Sequence, residues 1–145
     1  MAGEKQAFWE QSRFAFVGNT AAKGFPKTSY VEARKLGKRV FAVDSSAERV
    51  EGDPTFSDLA ALPEKVDGVV LEVPRDETEG WVRQAADLGI RSVWIHMGRD
   101  TPEALALARE RGLEVHTDSC AVMYLTSGFS VHAIHKWVDK LRGIY

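Results

Sequence analysis

The chain has 145 residues, 44% of them hydrophobic, and a formal net charge of −2, which suits one ordinary domain with its own core rather than two. That charge exerts no long-range pull on nucleic acid or an anionic membrane, so neither is an expected partner, and any polyanion must be held by a local site. The single cysteine, Cys120, excludes an internal disulfide; no leader-like apolar stretch follows Met1 and no run reaches membrane-span length, so a soluble cytoplasmic protein is expected.

A short helix is expected near Lys5–Gln11. Phe14–Val17, "FAFV", is continuously apolar and reads as a strand covered on both faces, as in a parallel sheet. Lys27–Leu36 follows Pro26, which suits a helix start, and stops at Gly37; its apolar side, Tyr30, Ala33 and Leu36, is thin. Arg39–Val43 is the second strand. The stretch from Val43 to Gly68 is the least regular crossover, with a short helix at Thr55–Leu62 ended by Pro63. Gly68–Val73 is the third strand.

Glu79–Leu88 then carries Trp81, Val82, Ala85, Ala86 and Leu88 at helical spacing. Asp76 and Glu79 resemble a capping box before it, and Gly89 ends it. Ser92–Met97 is the fourth strand. Pro102–Arg111 is a helix with Thr101 as N-cap and Gly112 as stop, and Leu113–Thr117 is the fifth strand. Val131–Arg142 is helical, with Ile134, Trp137, Val138 and Leu141 in one stripe that packs on the sheet or on a second subunit, a homo-oligomer or another protein.

Strands alternating with helices argue for a Rossmann-like three-layer α/β/α domain, with a mainly parallel five-stranded sheet in the order 3-2-1-4-5 and terminal helices. The whole chain is expected to be one domain, with a core of about residues 13–120 and a helical extension over 121–145.

In open α/β sheets, ligands bind outside the carboxyl ends of the strands, where the strand order reverses. The first strand lies there and ends in Gly18-Asn19-Thr20. Gly18 lets the chain turn and lets a ligand approach the backbone. The N–H groups of Asn19 through Ala22, with the start of the next helix, are in place to face a phosphate, and Lys23 and Lys27 add positive charge. The segment has neither G-x-G-x-x-G nor G-x-x-x-x-G-K-[ST], so a plain strand–helix turn accounts for it equally well.

Five pieces come in order: "FAFVGNT", "GKRVFAVDS", "GDPTFSDLAALPEKVDGVVLEVPRD", "AADLGIRSVWIHMG" and "ARERGLEVHTDSC". Together they resemble the stand-alone CoA-binding domain proteins, single-domain relatives of the N-terminal CoA-binding domain of the succinyl-CoA synthetase α subunit. The resemblance runs from about Arg13 to Asp118. It implies a Rossmann-like domain that binds coenzyme A or an acyl-CoA, with the pyrophosphate held at Gly18, Asn19, Thr20 and Lys27. It also implies that Val43, Asp44 and Ser45 lie near the adenosine, while Val73, Pro74, Arg75, His96, Met97 and Gly98 border the rest of the cofactor.

The chain departs from the family at Asp44-Ser45, where Asn-Pro is usual, and at His96, where Gln is usual. An acidic residue after the second strand is what a NAD site uses on ribose hydroxyls, and it would repel the 3′-phosphate of CoA. A NAD(P)- or other nucleotide-binding regulator is therefore the alternative. Capping of the turn at "DSS" is the competing structural account of Asp44.

Cys120 with His96 or His116, and Asp118 beside them, suggest a second alternative, a small acyl-transfer or thioester-hydrolysing enzyme. No local motif supports it. His132 and His135 lack a third metal ligand at standard spacing. In the synthetases that the chain resembles, chemistry uses a phosphorylated histidine in a separate domain and a nucleotide-binding partner subunit. The expectation is therefore a binding or regulatory module without catalytic residues or metal.

Overall fold

All four side chains of Phe14–Val17 are fully buried, as a strand covered on both faces requires. They form the middle of β1 (Arg13–Gly18), the central strand of the sheet. The computed structural model describes residues 7–22, 24–96 and 98–117. Lys23, Met97, Asp118, Cys120 and the expected extension over 121–145 lie outside the described residues.

β1 pairs in parallel with β2 (Arg39–Val43) on one side and β5 (Gly68–Glu72) on the other, with Phe16 opposite Ala42 and Val70. β6 (Ser92–Ile95) and β7 (Glu114–His116) continue the parallel run. Beyond β2 stand β4 (Asp53–Phe56), parallel to it, and β3 (Arg49–Val50), antiparallel to β4. The order is β3-β4-β2-β1-β5-β6-β7, so the order reverses between β1 and β5. The fold is α/β and Rossmann-like, as expected.

Period-two alternation divides the core between two faces. Ala15, Val17, Phe41, Val43, Leu71 and Ile95 pack under α2 (Arg75–Asp87) and α3 (Pro102–Glu110) through Val82, Ala85, Ala104 and Leu107. Phe14, Phe16, Val70 and Trp94 pack with Tyr30 and Ala33 of α1 (Lys27–Lys35) and with Phe8 and Trp9 of a helical turn at residues 7–10. The Phe8 ring lies 4.8 Å from that of Trp9 and 5.5 Å from that of Trp94, centroid to centroid. Gly68 makes room for it, because a Cβ there would stand 2.8 Å from Phe8 Cε1.

Several local expectations need correction. Among the described residues the sheet has seven strands rather than five, and Gly68–Glu72 pairs with β1, while the place beyond β2 belongs to β4. The helix expected at Thr55–Leu62 is instead the end of β4 and a 3-10 turn, Leu59–Ala61, capped by Asp58, which accepts the Ala61 N–H at 2.9 Å. β3 and β4 are too short to show alternation, and β4 opens on Asp53-Pro54, residues that strands disfavour. α2 begins at Arg75, behind Pro74, and has no side-chain cap; Asp76 stands in its first turn, where it favours the helix dipole. Leu36 is exposed rather than part of the α1 face. Thr101 does cap α3, accepting the Ala104 N–H at 3.1 Å. Among the described residues no helix is long and apolar enough to cross a membrane.

Candidate functional site: the carboxyl edge of the sheet

Because β1, β2, β4, β5, β6 and β7 run parallel, their carboxyl ends share one edge. Gly18, Asp44, Glu72 and His96 meet there, with Gly18 directly opposite Glu72 at the reversal of strand order. That is where such sheets hold ligands.

The turn after β1 is tied to itself and to its neighbour. The Asn19 N–H donates to Gly24 O at 2.9 Å and the Gly24 N–H returns to Asn19 O at 2.8 Å. The Ala22 N–H reaches Asn19 O at 3.1 Å and Oδ1 at 3.2 Å. The Thr20 N–H donates to Asp44 Oδ2 at 2.9 Å and the Ala21 N–H to Ser46 Oγ at 3.1 Å. All four N–H groups from Asn19 through Ala22 thus have internal acceptors and, contrary to expectation, do not stand open to a phosphate. The open donors lie at the start of α1, whose first turn has no side-chain cap and no acidic residue.

Gly18 answers to packing. A Cβ there would stand 2.7 Å from both Phe25 Cα and Phe25 Cδ1 and 2.9 Å from Gly24 O. The backbone that approaches Gly18 closely is that of the returning loop.

Asp44 is 1% exposed. Its Oδ2 accepts the Thr20 N–H and the Thr20 hydroxyl, and its Oδ1 accepts the Ser46 N–H at 2.9 Å and the Ser46 hydroxyl at 2.6 Å. Four donors fill the four lone-pair sites of a carboxylate. Nothing is left for a ribose hydroxyl, so the turn-capping account of Asp44 holds. Beside it lies an open cleft of about 460 Å³, lined by Asp44, Ser45, Glu48, Arg49, Thr55 and Ser57 among others. Val43 packs its side chain in the core, and Ser45 is exposed at the cleft.

Across the strand reversal, Asn19 Nδ2 donates to Glu77 Oε2 at 2.8 Å, and Trp81 Nε1 donates to the other oxygen of Glu77 at 3.4 Å. Glu72 Oε1 stands 3.7 Å from His96 Nδ1. Pro74 stands just before the first residue of α2, Arg75 is exposed and Gly98 is exposed in the loop after β6. Lys27 is largely exposed, with its ammonium 3.3 Å from Glu51. His116 was expected at the ligand edge, but it is 4% exposed and packs with Phe8 and Trp94. It stands with the core.

Sequence reasoning missed Ser46, Glu72, Glu77, Trp81 and Arg49. Only Glu72 carried a usable signal: it is the single charge in "GVVLEV", at the carboxyl end of an apolar strand. Among the described residues no cluster of three or more His, Cys, Asp or Glu side chains could hold a metal ion.

A family model, the CoA binding domain, matches residues 12–126. Among solved structures, the chain is similar to a hypothetical protein from Pyrococcus horikoshii OT3, with a TM-score of 0.72 and 23% identity over 84% of this chain and 87% of that one. It is similar to cell-free ID.343 from Thermus thermophilus, with a TM-score of 0.72 and 22% identity over 95% and 98% of the two chains. It is also similar to the dinucleotide-forming acetyl-coenzyme A synthetase 1 of Ca. Korarchaeum cryptofilum in its apo form, with a TM-score of 0.59 and 19% identity. That match covers 72% of this chain and 25% of the synthetase. These likenesses establish the fold.

Proposed function

The chain belongs to the CoA binding domain family, and from that membership we propose that it binds coenzyme A or an acyl-CoA along the carboxyl edge of its sheet. It acts as a binding or regulatory module rather than a complete enzyme. The pyrophosphate lies at the turn after β1 and the start of α1, near Gly18, Asn19, Thr20, Lys23 and Lys27. The adenosine occupies the cleft beside Asp44 and Ser45. The remaining arm passes Pro74, Arg75, His96 and Gly98. The single cysteine supports a reducing, cytoplasmic setting.

The observation that carries the choice of ligand is the saturation of Asp44. A NAD site needs a carboxylate with free lone pairs for the ribose, and here four protein donors take them. The same four donors offset the charge that a 3′-phosphate would otherwise meet. The engaged N–H groups of the turn leave two ways to hold a phosphate: the uncapped first turn of α1, or exchange with Ser46 at the Ala21 N–H.

Titration calorimetry with CoA and with NAD tests the reading. CoA binding with no measurable NAD binding is expected. NAD binding without CoA binding overturns it.

A further inference from the structure

The cleft at the ends of β2 and β4 has a distinctive charge arrangement. Of the residues lining it, Asp44 and Glu48 are acidic and Arg49 is the one cation. The Asp44 carboxylate is taken up by its four internal donors. Glu48 is exposed on the rim, where water and salt screen it. Arg49 differs from both. Its NH1 donates to Gly52 O at 3.0 Å, which anchors the guanidinium to the β3–β4 turn and leaves its other N–H donors unspent. Asp53, whose carboxylate feels the charge of Arg49, is held by hydrogen bonds from Tyr30 and Arg34.

An anchored guanidinium beside a nucleoside-sized cleft is suited to a phosphate monoester, whose oxygens fit the planar fork. Resting on the CoA reading, we propose that Arg49 is the specificity residue that reads the 3′-phosphate of the bound nucleotide and so selects 3′-phosphorylated ligands over their 3′-hydroxyl counterparts. The positive charge sits on β3, the strand that sequence patterning did not reveal. It makes up for Asp44-Ser45-Ser46, which brings no cation to the end of β2.

The experiment is calorimetric titration of the full chain with CoA and with 3′-dephospho-CoA. The variants are Arg49→Gln, which keeps an amide donor for Gly52 O, and Arg49→Lys, which keeps the charge. The parent should bind CoA about tenfold more tightly than 3′-dephospho-CoA at low salt, with the gap narrowing as salt is raised. Arg49→Gln should weaken CoA alone and bring the two affinities together, and Arg49→Lys should keep part of the preference. A parent that binds both ligands equally overturns the role of Arg49 and leaves the CoA reading standing. So does an Arg49→Gln variant that weakens both ligands alike or neither. A parent that binds neither ligand overturns both.

Discussion

Asp44 and Thr20, 24 residues apart, are joined twice: one carboxylate oxygen accepts both the backbone N–H and the hydroxyl of Thr20. With Ser46 on the other oxygen, the turn after the first strand is fastened to the end of the second. This contact closes one side of the candidate site.

Asp44→Ala should therefore destabilise the fold. It removes the acceptor of four donors at a buried position, and losing a buried charged partner costs on the order of 3 kcal/mol. Urea unfolding followed by far-UV circular dichroism measures the loss. A change below about 0.5 kcal/mol, the range of ordinary surface substitutions, would mean that the staple is dispensable.

Gly18→Ala should lower stability even without ligand. The added Cβ meets the main chain of Phe25 and Gly24, which cannot swing aside as a flexible side chain would. Overpacking of this kind costs about 1–3 kcal/mol. Trimming Phe25 to Ala should not restore the loss, because the Phe25 Cα remains 2.7 Å away. Thermal melting of the three variants checks this; full recovery in the double variant would place the conflict in the ring.

Gly68 and Phe8 should be coupled in the opposite way. Here the atoms nearest the added Cβ are the ring of Phe8 and the end of Gln11, both side chains. Phe8→Ala alone should cost about 3–5 kcal/mol, since it empties a buried aromatic site. Gly68→Ala should be clearly less damaging in the Phe8→Ala background than in the parent. A double-mutant cycle with a coupling energy below about 0.5 kcal/mol would show that the two sites act independently.

Tyr30 donates to Asp53 Oδ2 at 2.5 Å and Arg34 to the same oxygen at 2.7 Å, tying α1 to β4. The hydrogen bond from Tyr30, aided by Arg34, holds the Asp53 carboxyl below its ordinary value. A depressed carboxyl contributes stability that is present above its unfolded pKa of about 3.9 and is lost as pH falls through the lower folded value. Burial, then the bond to Asp53, pushes the Tyr30 hydroxyl well above its usual range. That contribution is present below about pH 10 and is lost as pH rises toward the folded value. Tyr30→Phe should cost about 1 kcal/mol at pH 7. Its deficit against the parent should shrink below about pH 4 and above about pH 10. Denaturation at pH 3, 7 and 10.5 tests the profile; a deficit independent of pH would mean that the hydroxyl contributes only packing.

The chain's own order of residues determined much of this protein. A continuous apolar run marked β1 and nearly continuous ones marked β2, β5, β6 and β7, because a strand buried on both faces has little room for polar residues. Helix stops were legible at Gly37, Gly89 and Gly112, each with positive φ, because a left-handed end is a local demand of the backbone. Parallel strands then imply a single ligand edge, and the ordered landmarks implied the family.

Tertiary structure decided the rest. β3 and β4 exist through pairing with each other and with β2, and nothing local in "RV" or "DPTF" announces a strand. Asp44 had two plausible roles until its partners, Thr20 in a different loop and Ser46 in its own, were brought to it. Gly18 read as a ligand approach until Phe25 folded back over it. His116 stood at the end of a strand like His96, yet Phe8 and Trp94 enclose it. In each case residue type and spacing specify what a side chain can do, while contacts between segments distant in sequence select which of those interactions is made.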